Sequence, residues 1–102
     1  MLRLEATQSG QVIPVPKVWT FDSCQADPTE HAELSRLLEA CEFFNAPEPA
    51  LERGADRGTL SILVETEQGS RRLTLPLGRV PAAFSALVRF IEARLQWQPR
   101  KR

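Results

Sequence analysis

The chain has 102 residues, of which 42% are hydrophobic and 25% are charged, and its formal net charge is zero. These values are typical of one soluble globular domain that buries enough surface to fold without stabilising disulfides or metals. No apolar run approaches the roughly 18 residues of a transmembrane helix. The N-terminus, MLRLEATQSG, lacks the apolar core of a signal peptide. We therefore expect a cytoplasmic protein with no membrane partner, or one whose leader has been removed.

The first strands are predicted from alternating and β-branched residues. Leu2 to Thr7 place Leu2, Leu4 and Ala6 on one face. A turn at residues 8–11 follows, and Val12 to Phe21 are again rich in residues that favour strands. Pro14 and Pro16 cannot donate to a ladder, which restricts the first half of this strand to an edge. The two runs predict a hairpin.

The next element is a helix that begins at Asp27. Asp27 can cap it, Pro28 suits its first position, and Glu30 fits a capping box. An apolar stripe with helical spacing follows. Phe44 continues the stripe, whereas Phe43 lies about 100° round the helix. We expect the helix to unwind here with Asn45 as its left-handed terminal residue, so that both rings can be buried. The stripe comprises Leu34, Leu37, Leu38 and Cys41.

The second half of the chain repeats the strand, strand, helix order. Thr59 to Glu65 alternate, a hairpin turn occupies residues 67–70, and Arg71 to Leu77 alternate again. Residues 78–81 then open a second helix. Its predicted apolar face comprises Phe84, Leu87, Val88, Ile91 and Leu95.

The predicted fold is therefore α+β, with the order ββαββα. The economical packing is two-layered, with a four-stranded, mainly antiparallel sheet and both helices on one face. We expect residues 1–97 to form a single domain and residues 98–102 to form a frayed basic tail.

The two cysteines, Cys24 and Cys41, fit no zinc-binding spacing. Cys41 belongs to the helical stripe and is expected to be a buried free thiol. Cys24 is expected in a loop, and a disulfide between the two is the minor alternative.

No residue pattern indicates an enzyme, a cofactor or a metal site. The single histidine, His31, falls in the first turn of the first helix, where a solvated position is expected. A catalytic triad would need a nucleophile beside it, and the helix start separates it from Cys24. Zinc-protease, phosphate-loop and dinucleotide motifs are missing from the sequence.

Nucleic-acid binding has limited support in the charge pattern. Residues 27–56 hold eight acids and two bases, whereas residues 70–102 hold eight bases and one acid. This polarity could steer a charged partner, although two solvated faces of opposite sign are the better explanation. Arg71 and Arg72 point to opposite sheet faces, and the strands lack the aromatic pair that stacks bases. These features argue against a nucleic-acid partner.

Two segments are not explained by a packed core. One is SGQVIPVP, residues 9–16, an exposed turn that runs into a strand stiffened by two prolines, and the other is the 14-residue connection over residues 45–58. A structureless connection of that length is uncommon in compact domains and is often functional. Rigid loops on a small scaffold suit a binding module or inhibitor, because preorganisation lowers the entropy lost on docking. The candidate binding residues are Ser9, Gly10, Gln11, Val12, Ile13, Leu51, Ala55, Asp56 and Arg57.

The order and spacing of several short motifs in this chain resemble a known family. These motifs are a helix ending in a doubled aromatic, a proline-rich loop, an ADR stretch entering a strand, an arginine-bearing hairpin, and a proline-started final helix. The residues that carry them are Phe43-Phe44, Ala55-Asp56-Arg57, Gly69 with Arg71-Arg72, and Pro81. In this pattern the chain resembles the emfourins, small bacterial inhibitors of thermolysin-like zinc metalloproteases. Gln11 stands where family members often carry a second glycine.

The resemblance implies a competitive inhibitor that blocks the active-site cleft of a metalloprotease encoded beside it. Such proteases favour a bulky apolar side chain just after the scissile bond, which Val12, Ile13, Leu51 or Leu60 could supply. Asp56 is the nearest carboxylate for the protease zinc, but a turn or an ion pair with Arg53 or Arg57 explains it better. The alternative function is a non-enzymatic module that binds another protein or RNA through its sheet edge or basic C-terminal region.

Overall fold

The computed structural model describes residues 1–10, 17–47, 58–77 and 80–95, together with the backbone of residues 97–99. These residues form five strands and two helices. In chain order they are β1 (Leu2–Ser9), β2 (Lys17–Asp22), α1 (Pro28–Ala40), β3 (Thr59–Thr66), β4 (Gly69–Pro76), α2 (Ala82–Arg94) and β5 (Trp97–Pro99).

The strands form one sheet in the order β4-β3-β1-β2-β5, and all neighbours are antiparallel. The predicted α+β fold, with four antiparallel strands and two helices in the order ββαββα, is confirmed. The sheet carries one further strand, because β5 pairs its backbone with residues 17–19 of β2. The prediction of a frayed tail from residue 98 is therefore wrong for Gln98 and Pro99.

One face of the sheet is the core and the other is open to solvent. Along β1, Leu2, Leu4 and Ala6 are buried whereas Arg3 and Glu5 are exposed, as the alternating sequence requires. Both helices contribute to the same core, so they cover the same face. The buried sheet residues are Leu2, Leu4, Ala6, Trp19, Phe21, Leu60, Ile62, Val64, Leu73 and Leu75. The buried helix residues are Leu34, Leu38, Phe84, Leu87, Val88, Phe90 and Ile91.

Helix α1 crosses the sheet from β2 to β4. Its start is capped as predicted, because the Asp27 carboxylate accepts a hydrogen bond from the Thr29 N–H at 2.7 Å. Near this start, the His31 ring lies 6.3 Å from that of Phe21 in β2. Beyond its end, the Phe43 carbonyl accepts a hydrogen bond from Arg71 Nη1 in β4 at 3.1 Å. These contacts place one end of α1 over β2 and the other end beside β4, on the same face of the sheet.

The end of α1 differs from the prediction. The helix ends at Ala40, and Glu42, not Asn45, adopts the left-handed conformation, with φ of 52°. The Phe43 N–H donates to the Leu38 carbonyl at 3.0 Å, and the Glu42 N–H donates to the Glu39 carbonyl at 3.0 Å. These two bonds define a Schellman motif. The motif turns Phe43 into the core, where it is 1% exposed, and leaves Phe44 41% exposed.

Glycine should be preferred over glutamate at position 42. The left-handed conformation costs a non-glycine residue about 1–2 kcal/mol, partly offset by the greater freedom of glycine in the unfolded chain. We expect Glu42→Gly to raise the free energy of unfolding by about 1 kcal/mol, measured by urea denaturation. Glu39→Gly, placed in the last helical turn, should instead lower it by roughly 0.5–1 kcal/mol. A loss of stability in Glu42→Gly would contradict the motif.

The cysteines occupy the predicted environments. Cys41 is buried and Cys24 is exposed, and both are free thiols. The Cys41 thiol donates a weak hydrogen bond to the Leu38 carbonyl at 3.6 Å. Burial raises the pKa of the Cys41 thiol, which disfavours the reactive thiolate form.

Candidate functional site

Both candidate segments are attached to the sheet at the same end, here called the loop end. β1 finishes there at Ser9, which pairs with Thr59, the first residue of β3. The segment 11–16 lies between Gly10 and Lys17, and Lys17 pairs with Gln8 at the same end. The segment 48–57 leads into Gly58. Antiparallel pairing of β1 with β3 therefore brings together residues that lie about fifty positions apart in the sequence.

Gly10 and Gly58 lie against each other at the loop end. They would form the next pair of the β1–β3 register after Ser9 and Thr59. A Cβ atom built on Gly10 would lie 2.5 Å from the Gly58 Cα and 3.2 Å from its nitrogen. Both of these are backbone atoms, which cannot move aside as the tip of a flexible side chain can. The contact therefore requires glycine at position 10.

Gly58 is also tied to the end of β4. Its φ is 83°, which lies in the left-handed region that favours glycine. Its carbonyl accepts a hydrogen bond from the Leu77 N–H at 3.1 Å. Gly58 thus connects the base of the 48–57 segment to both β1 and β4.

The structure describes only two of the nine candidate binding residues. Ser9 is half-buried at the end of β1, and Gly10 is exposed beside Gly58. The other candidates, Gln11, Val12, Ile13, Leu51, Ala55, Asp56 and Arg57, lie outside the described residues. The prediction that Leu60 could present its side chain to a protease is wrong. It is 1% exposed and points into the core from β3.

The structure has a groove at the opposite end of the sheet that the sequence does not predict. Its walls include Leu38, Glu39 and Glu42 on the α1 side and Thr66 at the end of β3. It also contains Met1 and Phe44, the exposed large hydrophobic residues of the described part of the chain. The exposure of Phe44 could not be read from helical spacing, because it depends on the left-handed Glu42.

Among the residues that the structure describes, no group of three or more histidine, cysteine or acidic side chains is placed to hold a metal ion. His31 is half-buried beside Phe21. The Cys24 backbone N–H donates to the Asp22 carboxylate at 2.9 Å and lowers the pKa of that carboxyl group. These local contacts stabilise the chain between β2 and α1. No described helix is both long and apolar enough to cross a lipid bilayer.

A small two-layer scaffold with two candidate segments attached at one end of its sheet suits a protein that binds another protein through loops. The family profile described as Emfourin matches residues 11–92, and the chain belongs to this family. The matched range includes both segments at the loop end. No curated protein and no solved structure matched the chain. Family membership indicates a protease inhibitor.

Proposed function

We propose that this protein inhibits a thermolysin-like zinc metalloprotease by blocking its active-site cleft with the two segments at the loop end. One observation supports this use of the fold most directly. The close contact of Gly10 with Gly58 joins the base of the 11–16 segment to the base of the 48–57 segment. A cleft-binding inhibitor needs such fixed attachment points, because each segment ordered only on docking reduces the affinity.

Steric occlusion is the mechanism that we propose, with Val12, Ile13 or Leu51 supplying the apolar side chain that the protease favours. These residues belong to the two segments, whereas the core position of Leu60 removes it from the set. We assign no zinc ligand to the inhibitor. Asp56 would be the carboxylate to examine if chelation were found instead.

The direct experiment titrates the purified full chain against thermolysin and against a thermolysin-like protease from the same genome. We expect the hydrolysis of a peptide substrate to fall towards zero near a 1:1 molar ratio for at least one of the two, with competitive kinetics. Added Zn²⁺ should not restore activity, because occlusion leaves the protease metal in place. Full activity of both proteases at stoichiometric inhibitor would overturn the proposed function.

Variants can then locate the inhibitory surface. Ile13→Asp or Leu51→Asp should raise the inhibition constant at least about tenfold, because a carboxylate is costly to bury in an apolar pocket. Phe44→Ala is the control, since Phe44 is exposed at the opposite end of the sheet. Equal inhibition by all three variants would contradict the assignment to the loop end.

The alternative function, RNA binding through the basic C-terminal region, can be distinguished from protease inhibition by a deletion. Removal of Arg100 to Arg102 should abolish any binding that weakens as salt rises, since such binding depends on phosphate contacts. The same deletion should leave protease inhibition unchanged.

A further inference from the structure

We propose that Gly10 and Gly58 are positioning residues for the inhibition, whose backbone contact fixes the points at which the two segments at the loop end leave the sheet. This inference rests on the proposed function and adds the contact that couples the 11–16 segment to the 48–57 segment. Neither glycine needs to touch the protease for this contact to affect inhibition.

The geometry of the β1–β3 ladder supports the coupling. The ladder runs without interruption from Leu2–Thr66 to Ser9–Thr59, and Gly10 and Gly58 follow in the same register. The pair is close enough that a methyl group on Gly10 would overlap the Gly58 backbone. Alanine at position 10 must therefore push the two chains apart just where the segments leave the sheet.

Gly58 cannot move alone to relieve that overlap. Its carbonyl is held by the Leu77 N–H, and the next residue, Thr59, pairs with both Ser9 and Pro76. A shift of Gly58 would strain these contacts on both sides of β3. A shift of Gly10 would instead change the direction in which the 11–16 segment leaves β1. Either response alters the position of one segment relative to the other.

Separated segments should bind the protease less well even if each keeps its own side chains. Attachment points that are fixed before docking reduce the conformational freedom that binding must remove. We therefore expect Gly10→Ala to raise the inhibition constant about tenfold or more.

Gly69→Ala provides the matched control for Gly10→Ala. Both glycines have a positive φ, 159° at Gly10 and 147° at Gly69, but a Cβ atom on Gly69 would meet no atom within 4 Å. It lies in the β3–β4 hairpin, at the end of the sheet opposite the loop end. The two variants share the same change in composition and differ in the overlap with Gly58. Gly69→Ala should keep the inhibition constant within about twofold of the wild type, with both variants checked for folding by circular dichroism.

A double-mutant cycle tests whether the two glycines act through one contact. Gly58→Ala should also weaken inhibition, because alanine disfavours a φ of 83°. The double variant should then lose little more than the worse single variant, since coupled neighbours are non-additive. Additive losses would overturn the coupling.

An NMR measurement on the wild-type chain keeps the proposal testable if Gly10→Ala fails to fold. We expect a strong nuclear Overhauser effect between the α protons of Gly10 and Gly58 in the free protein. Its absence would overturn the proposal. If the wild type and a folded Gly10→Ala variant inhibit the protease equally well, this inference is overturned and the proposed function stands. A wild-type chain that inhibits neither protease overturns the proposed function, and this inference falls with it.

Discussion

Phe43→Ala should lower the free energy of unfolding by about 3–5 kcal/mol, the range for deleting a buried phenylalanine ring. The ring is 1% exposed and closes the core beyond the end of α1. Both hydrogen bonds at Phe43 use backbone atoms, its N–H to Leu38 and its carbonyl from Arg71, so the substitution removes only the ring. Denaturation in urea, followed by circular dichroism, measures the loss.

The neighbouring ring supplies the control. Phe44 is 41% exposed and meets the Phe43 ring edge-on, with centroids 5.7 Å apart. An aromatic pair of this kind contributes about 0.5–1.5 kcal/mol, so Phe44→Ala should cost about 1 kcal/mol. A larger loss in Phe44→Ala than in Phe43→Ala would show that the helix ends in a different register.

Ile62→Ala is expected to cost about 2–5 kcal/mol, because a cavity would remain in the centre of the sheet. Ile62 lies on β3, is 0% exposed, and points towards the helices. Its partners across the sheet are Ala6 on β1 and Leu73 on β4, both fully buried. Little in this neighbourhood can collapse into the space that the isoleucine leaves.

Leu63 tests the two-layer architecture at the next position of the same strand. It points to the opposite face, is only half-buried, and lies between Glu5 and Arg72. Leu63→Ala should therefore cost about 1 kcal/mol or less, since removing a partly solvated side chain creates no enclosed cavity. Equal losses at Ile62 and Leu63 would mean that both faces of the sheet are covered.

Most elements could be predicted because their signals are local. The alternation of Leu60, Ile62 and Val64 defines a strand with one buried face, and Asp27 with Pro28 defines a helix start. Both signals depend on residues that lie within a few positions of each other in the sequence. The predicted bounds of β3, β4 and the two helices accordingly differ from the structure by a few residues at their ends.

Features that depend on distant contacts were missed. The strand β5 is only three residues long and exists because β2 offers it a backbone edge. Phe43 is the buried ring because Glu42 takes a left-handed conformation that few non-glycine residues adopt. Neither strand β5 nor the burial of Phe43 can be predicted from the local sequence. Helical spacing instead places Phe44 on the apolar stripe.

The candidate site likewise has features that the local sequence predicts and one feature that depends on distant contacts. The sequence pointed to residues 9–16 and 45–58 as candidate segments, because both contain prolines and glycines that interrupt regular structure. The approach of Gly10 to Gly58, where the two segments are attached, depends on the tertiary structure, because it follows from the pairing of β1 with β3. Sequence patterns report local conformation, whereas the contact between these glycines depends on the register of strands far apart in the chain.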